Sequence, residues 1–111
     1  MTSMKMIRAV VRPEKVNEVM NELAENGFVS ATRYSVLGRG KQRGLKLGDV
    51  YYDEIPKETI VLVVEDTDGE KVINCIQKIC RSGSEGSFGD GKIFVLPVEK
   101  TVTVSSGEEK L

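Results

Sequence analysis

A chain of 111 residues is long enough for one domain with a single core, and 40% of its residues are hydrophobic. The 16 lysines and arginines nearly balance 17 aspartates and glutamates, which argues against a dedicated nucleic-acid binder, since such domains are strongly basic. The chain has no histidine, so the commonest metal ligand and general base is absent and an enzymatic role is disfavoured.

The first part of the chain predicts a strand, a helix and a second strand. Residues 5–11 are rich in strand-forming types and end at Pro13. An apolar stripe at helical spacing follows, and Gly27 ends this helix after Asn26; the stripe consists of Val16, Val19, Met20 and Leu23. Residues 31–37 alternate in the manner of a strand.

The second part repeats this pattern. Residues 59–64 form a continuous apolar run, which predicts a central strand covered on both faces. A second helical stripe consists of Val72, Ile73, Ile76, Ile79 and Cys80. Residues 93–95 predict a fourth strand, and the alternation over residues 101–105 predicts a C-terminal extra strand. The order βαββαβ predicts an α+β, ferredoxin-like fold, with an antiparallel sheet and both helices on one face. Subunit association is the simplest cover for the other face.

Two stretches do not fit helices or strands. Residues 38–56 are a long connection between two strands, and residues 83–91 contain four glycines in nine positions. Long connections of this kind are usually functional or disordered. The two stretches hold eight of the eleven glycines, so we expect the function to depend on them.

The glycine-rich stretch is followed by Lys92 and an apolar run. Glycine lets the backbone approach a ligand closely, and consecutive N–H groups can form an anion-binding concavity. We therefore expect the backbone N–H groups of Gly89, Asp90 and Gly91 to bind phosphate, with Lys92 as the countercharge. The alternative is a helix-to-strand connection in which the glycines serve only the turns.

Several motifs in order along nearly the whole chain resemble the PII nitrogen-signalling family. The sequence Gly-Asp-Gly-Lys-Ile-Phe-Val at 89–95 resembles its C-terminal signature, and Gly-Arg-Gly-Lys-Gln-Arg-Gly at 38–44 resembles the opening of its long T-loop. Ile-Pro-Lys at 55–57 resembles the end of that loop, and Ser-Gly-Glu-Glu at 106–109 resembles the family's end. The start of the chain, residues 4–13, also fits.

The resemblance implies a homotrimer with a single PII-like domain over residues 1–111. Within it, residues 39–56 would be the T-loop, residues 82–91 the glycine-rich B-loop, and residues 98–111 the C-terminal loop and tail. The resemblance also implies a signalling protein and not an enzyme.

The resemblance further implies ATP or ADP in a cleft between subunits. Its phosphates would contact the glycine loop together with Gly38, Gly40 and Lys41, and its adenine would lie near Thr32 and Val63. On the sequence alone, Thr32 and Val63 are ordinary strand residues. Gln42 would be a ligand of a Mg²⁺ that also contacts ATP and 2-oxoglutarate, and Lys57 would pair with a carboxylate of 2-oxoglutarate. A hard cation prefers such oxygen ligands. The alternative for Lys57 is a charge at a strand edge.

The long loop would also bind a target protein, through Arg43, Lys46, Tyr51 and Tyr52. Exposed aromatic residues are good partner anchors. The short loop, with Gly-Asp-Val-Tyr-Tyr-Asp-Glu at 48–54, resembles the nitrogenase-associated subgroup, whose members act with a sister PII protein. The implied target is nitrogenase, and the alternative is an ammonium channel, as for the general family. We expect a cytoplasmic protein, because two cysteines in one predicted helix fit a reducing compartment.

The chain departs from the family near its end. General members carry two arginines that bind the nucleotide phosphates across the subunit boundary, and Thr103 and Ser105 stand at those positions. Each lost charged hydrogen bond is worth roughly 1.5–3 kcal/mol. Glu85 in the glycine loop would also repel a phosphate. The alternative function is therefore a divergent PII-like protein with weak or altered nucleotide binding.

Overall fold

The computed structural model describes residues 3–39 and 54–111. The strands are β1 (Met4–Val11), β2 (Thr32–Gly38), β3 (Ile55–Glu65) and β4 (Gly91–Val98), and the helices are α1 (Val16–Glu25) and α2 (Gly69–Cys80). The strands form one antiparallel sheet in the order β2-β3-β1-β4. The predicted α+β fold with the order βαββαβ is confirmed.

The core lies between one face of the sheet and the two helices. Alternate residues of β1 (Ile7, Ala9 and Val11) are buried there, because side chains of a strand point to opposite faces in turn. The apolar stripes of the helices cover them, with Val16, Val19, Leu23, Val72 and Ile76 all fully buried. Burying each such side chain contributes roughly 1.5–3 kcal/mol, so the stripes that predict the helices also fix which way they face.

The opposite face of the sheet has no helix on it, and it is largely apolar. The register places Leu96 beside Met6, and Phe94 beside Arg8. Phe94 is 47% exposed and Leu96 is 41% exposed, while the Arg8 guanidinium donates a hydrogen bond of 2.9 Å to the Tyr34 hydroxyl. A face of this kind is typical of an interface between protein surfaces.

Strand β3 begins earlier than the sequence predicts, so Pro56 and Lys57 lie in a strand and not at the end of a loop. Pro56 pairs with Leu37 of β2, but the pairing of β3 with β1 stops at Glu58. A proline is tolerated there because β3 has a neighbouring strand on one side only at this point. Strand β4 is likewise longer than residues 93–95.

The predicted fifth strand over residues 101–105 is wrong. The segment turns back on itself: the Thr103 N–H donates to the Glu108 carbonyl at 2.9 Å, and the Gly107 N–H donates to the Thr103 carbonyl at 2.7 Å. A strand needs a neighbour to satisfy its backbone groups, and here the backbone is satisfied locally instead. Val104, the apolar centre of the predicted strand, is 98% exposed.

Candidate functional site

A cavity of about 430 Å³ lies at the end of the sheet where the long connection leaves β2 and enters β3. Its lining includes five residues that the sequence predicts as site residues: Gly38, Lys57, Gly89, Gly91 and Lys92. Phe88 and Phe94 contribute apolar wall. Residues from three distant parts of the chain therefore share one cavity with cationic and apolar lining.

The strand register explains this meeting. Lys57 stands opposite Val36, and Lys92 stands opposite Val10, so both lie on the helix-free side of the sheet. The carboxyl ends of β1 and β2 and the amino ends of β3 and β4 lie together because all neighbours are antiparallel. The glycine loop and the ends of the long connection are thus at the same edge.

The carboxylate of Asp90 organises the glycine loop. It accepts hydrogen bonds from the Ser82 N–H at 2.9 Å, the Ser82 hydroxyl at 2.6 Å and the Ser87 N–H at 2.8 Å. These bonds, above all that from the Ser82 backbone, hold the pKa of Asp90 well below its usual range because they favour the ionised form. The side chain is only 16% exposed, so Asp90 is a structural anchor of the loop.

The backbone groups expected to bind phosphate differ in their availability. The Asp90 N–H donates to the Ser87 carbonyl at 3.2 Å, so it is already used inside the loop. The Gly89 N–H makes no hydrogen bond within the described part of the chain. Of these two expected donors, Gly89 is the one free to meet a ligand in this conformation.

Gly91 has a structural reason to be glycine. Its φ is +128°, and a Cβ built there would lie 2.4 Å from the Val10 carbonyl oxygen. No real side chain fits so close to a neighbouring backbone. Gly91 is the first residue of β4 and lies directly against β1. At this position the alternative interpretation holds, in which the glycine is required by the backbone geometry and not by a ligand.

Lys57 links the long connection to the glycine loop. Its ammonium donates a hydrogen bond of 2.6 Å to the Gly89 carbonyl. Burial lowers the pKa of Lys57, and the nearby positive charge of Arg12 lowers it further. The contact makes Lys57 more than a strand-edge charge, because it spans two elements of the site.

Arg12 is a residue of the site that the sequence reasoning missed. Its guanidinium donates to the Phe88 carbonyl at 2.9 Å and lies 3.4 Å from the Asp90 carboxylate, while its Nε is buried without a hydrogen-bond partner among the described residues. Arg12 follows β1 directly, and only the pairing of β1 with β4 brings it to the glycine loop. Its position before Pro13 gave no indication of this.

Thr32 and Val63 do not lie at this cavity. Thr32 opens β2 and Gly38 closes it, so the two are about 20 Å apart at the usual rise of a strand. Val63 lines a different cavity of about 330 Å³, together with Phe28, Glu65 and Leu111. Within one chain, the residues expected around the adenine are at the far end of the sheet from those expected around the phosphates.

The remaining predicted site residues, namely Gly40, Lys41, Gln42, Arg43, Lys46, Tyr51 and Tyr52, lie outside the described residues. Across residues 3–39 and 54–111, no group of three or more cysteines and carboxylates could hold a metal ion. Neither helix in those same ranges combines the length and the hydropathy that a membrane span requires.

A cavity of about 530 Å³ lies on the helix side of β4, and Glu85 lines it together with Arg81 and Cys80. Gly91 and Lys92 line this cavity as well as the one around Lys57, whereas Glu85 lines only the former of the two. Burial raises the pKa of the Cys80 thiol to about 11, and Cys75 is also buried and free. A buried thiol with a raised pKa is a poor nucleophile.

Comparison with known sequences gives a consistent family. The sequence model described as "Nitrogen regulatory protein P-II" matches residues 4–108. A protein of Methanococcus maripaludis named "Nitrogen fixation nifHD region glnB-like protein 1" is 56% identical, covering 91% of this chain and 93% of its own length. The protein of that kind from Methanothermobacter marburgensis is 50% identical and covers 97% of this chain and all of its own.

Solved structures agree. The Arabidopsis thaliana PII bound to citrate has a TM-score of 0.77 at 31% identity, covering 96% of this chain and 85% of that one. The Bacillus subtilis GlnK–ATP complex has a TM-score of 0.81 at 28% identity, covering 96% and 92%. One of these neighbours thus holds a nucleotide, and the other a polycarboxylate.

Proposed function

Because the chain belongs to the nitrogen regulatory protein P-II family, whose members are signal transducers and not enzymes, we propose that it senses ATP or ADP together with 2-oxoglutarate. It would regulate nitrogen fixation or assimilation by binding a target protein. The observation that carries the proposal is the meeting of Gly38, Lys57, Gly89 and Lys92 at one cavity. The ATP complex of the Bacillus neighbour supports a nucleotide as the ligand class.

The phosphates would lie against the glycine loop, with the Gly89 N–H as donor and Lys92 as countercharge. Lys41 would add a further contact. Phe88 and Phe94 supply apolar surface beside them. A cavity that combines apolar wall with a few placed polar groups is the usual form of a small-molecule site.

The 2-oxoglutarate carboxylate would pair with Lys57, a half-buried residue whose ammonium contacts the glycine loop. Citrate in the Arabidopsis neighbour supports a polycarboxylate ligand. Mg²⁺ usually keeps several waters and takes one or two protein oxygens plus substrate phosphates, so the Gln42 side-chain oxygen would suffice without a carboxylate cluster. When bound, Mg²⁺ would neutralise part of the phosphate charge of ATP and so allow the negatively charged 2-oxoglutarate to bind beside it.

A homotrimer would complete the site. The residues expected near the adenine, Thr32 and Val63, and those expected near the phosphates lie at opposite ends of the sheet in one chain. Neighbouring copies arranged around the helix-free apolar face would bring one end against the other. Closed symmetry is the usual outcome of such association.

The target would be nitrogenase, since the relatives are named for a nitrogen-fixation region; an ammonium channel is the alternative. A sister subunit also fits, because a Methanococcus maripaludis "protein 2" of that region is a more distant relative, at 38% identity. We also propose a cytoplasmic location.

Residues 39–56 would bind the target. Deleting residues 45–53 should therefore abolish binding to nitrogenase in a pull-down and leave the trimer intact. A monomer after this deletion would contradict that assignment.

Isothermal calorimetry tests the ligands: ATP and ADP separately, each with and without Mg²⁺ and 2-oxoglutarate. We expect Lys57→Met to abolish 2-oxoglutarate binding and to retain ATP binding. Lys92→Met should lower the affinity for ATP about tenfold or more, as the loss of a charged hydrogen bond would. Absence of nucleotide binding at millimolar concentration would overturn the sensor and favour the divergent member with altered ligands.

A further inference from the structure

The glycine loop is held by two cations that act on consecutive carbonyl groups. Arg12 binds the Phe88 carbonyl at 2.9 Å, and Lys57 binds the Gly89 carbonyl at 2.6 Å. The two cations differ in what else they contact. Arg12 also lies beside the Asp90 carboxylate, whereas the ammonium of Lys57 reaches the loop from the wall of the cavity.

The Lys57 contact determines where the next N–H points. In a trans peptide the C=O and N–H point in opposite directions. With the Gly89 carbonyl drawn towards Lys57, the N–H of Asp90 points the other way, where it donates to the Ser87 carbonyl. The Gly89–Asp90 peptide is therefore fixed at both ends, and its N–H is withheld from the cavity.

We propose that Lys57 is an exchangeable latch on the glycine loop: a carboxylate that enters the cavity takes the ammonium from the Gly89 carbonyl and frees the Gly89–Asp90 peptide to present its N–H to an anion. This inference rests on the proposed function for the identity of the ligands. It makes Lys57 a positioning residue for phosphate as well as a contact for the carboxylate.

The exchange is favourable on physical grounds. An ammonium forms a stronger hydrogen bond with an ionised carboxylate than with a neutral carbonyl. Burial and the positive charge of Arg12 both disfavour the protonated form of Lys57, and the carboxylates of Glu14 and Asp90 offset this only in part, because the pKa of Lys57 is still lowered. An incoming anion therefore stabilises the ammonium.

The loop can respond because of the residues at the released peptide. Reorienting a peptide changes ψ of the residue before it and φ of the residue after it. Gly89 already has a φ of +91° and no Cβ, and aspartate is among the residues that tolerate the left-handed region. The Asp90 side chain keeps its bonds to Ser82 and Ser87, which anchor the loop while the peptide turns.

NMR of the full chain without ligand tests the latch directly. In Lys57→Met the Gly89 carbonyl ¹³C resonance should move upfield, because a hydrogen-bonded carbonyl is deshielded, and amide exchange of Asp90 should rise about tenfold or more. Lys100→Met removes an exposed lysine charge beyond the other end of β4 and should change neither. Equal spectra for Lys57→Met and the unmodified chain at Gly89 and Asp90 would overturn the proposal.

A second measurement adds Mg-ATP and 2-oxoglutarate to the unmodified chain. The Gly89 carbonyl resonance should move towards its position in Lys57→Met when 2-oxoglutarate binds. Calorimetric binding of 2-oxoglutarate with an unmoved Gly89 resonance would also overturn the latch. If 2-oxoglutarate does not bind at all, the proposed function fails in its ligand, and the ligand-free comparison still decides the latch.

Discussion

The Ser82 hydroxyl donates a hydrogen bond of 2.6 Å to the Asp90 carboxylate and so joins the two ends of the glycine loop, eight residues apart in sequence. The loop is closed by the side chain of a residue whose backbone N–H the sequence predicts as a phosphate donor. The Asp90 side chain therefore has a structural role, which is to hold the glycine loop in its conformation.

Because the ionised Asp90 carboxylate closes the loop, the free energy of unfolding should decrease at acid pH. The pKa of Asp90 is lowered in the folded chain, so its contribution is complete above the unfolded pKa of about 3.9 and is lost as the pH falls below it. Tm should therefore fall below about pH 4. Asp90→Asn should lower Tm at pH 7 and flatten this decline.

The decline should not vanish in that variant, since Lys78 also lowers the pKa of Glu22, by a contact of 2.6 Å. Asp68→Asn is the matched control, because the Asp68 side chain makes no capping hydrogen bond to α2. A pH profile of Tm for Asp90→Asn that superimposes on that of the unmodified chain would show that the carboxylate does not close the loop.

Gly91→Ala should destabilise the sheet strongly. The new Cβ would lie 2.4 Å from the Val10 carbonyl oxygen, at a φ of +128°. We expect a loss of about 2–3 kcal/mol in urea unfolding, at the upper end of the range for backbone strain. Gly83→Ala is the control, because its φ is +64° and no atom lies within 4 Å of its Cβ position. Similar losses for the two variants would mean that β1 and β4 can separate locally at little cost.

Restoring arginines at the C-terminal segment should strengthen nucleotide binding. Thr103→Arg and Ser105→Arg place charged donors at the positions where the resemblance implies the family's two arginines. Each should raise ATP affinity about tenfold, as one charged hydrogen bond would. Val104→Arg adds the same charge between them and serves as the control. If it raises affinity equally in calorimetry, the gain is a general charge effect and not a specific contact.

The helix-free face should be the subunit interface. Leu96→Glu places a charge in that face beside Met6 and should convert the trimer to monomer, because an unpaired buried charge is strongly unfavourable. Asn74→Glu, on the exposed side of α2, adds the same charge to the helix layer and should leave the mass unchanged. Light scattering distinguishes the two. If the Leu96→Glu variant is still a trimer, the helix-free face is not the subunit interface.

The helices, the four strands and the family can all be predicted from local stretches of the sequence. The apolar stripes of both helices and the runs of the four strands are local patterns, and each is read within a window of a few residues. The glycine loop and Lys92 are equally local. Even so, the alternation at residues 101–105 predicted a strand that the chain does not form, because alternation specifies a pleated face and not a partner for it.

The contacts between side chains and loop groups, in contrast, depend on how distant strands pair. Lys57 and Gly89 are 32 residues apart, and Arg12 and Phe88 are 76 apart, and both pairs come together through strand register alone. The contact of Lys57 with the Gly89 carbonyl also orients the Asp90 N–H away from the cavity. The close approach of Val10 leaves room only for glycine at position 91. A loop peptide points wherever its neighbours hold its carbonyl, and those neighbours are set by the pairing of distant strands, which no short stretch of sequence encodes.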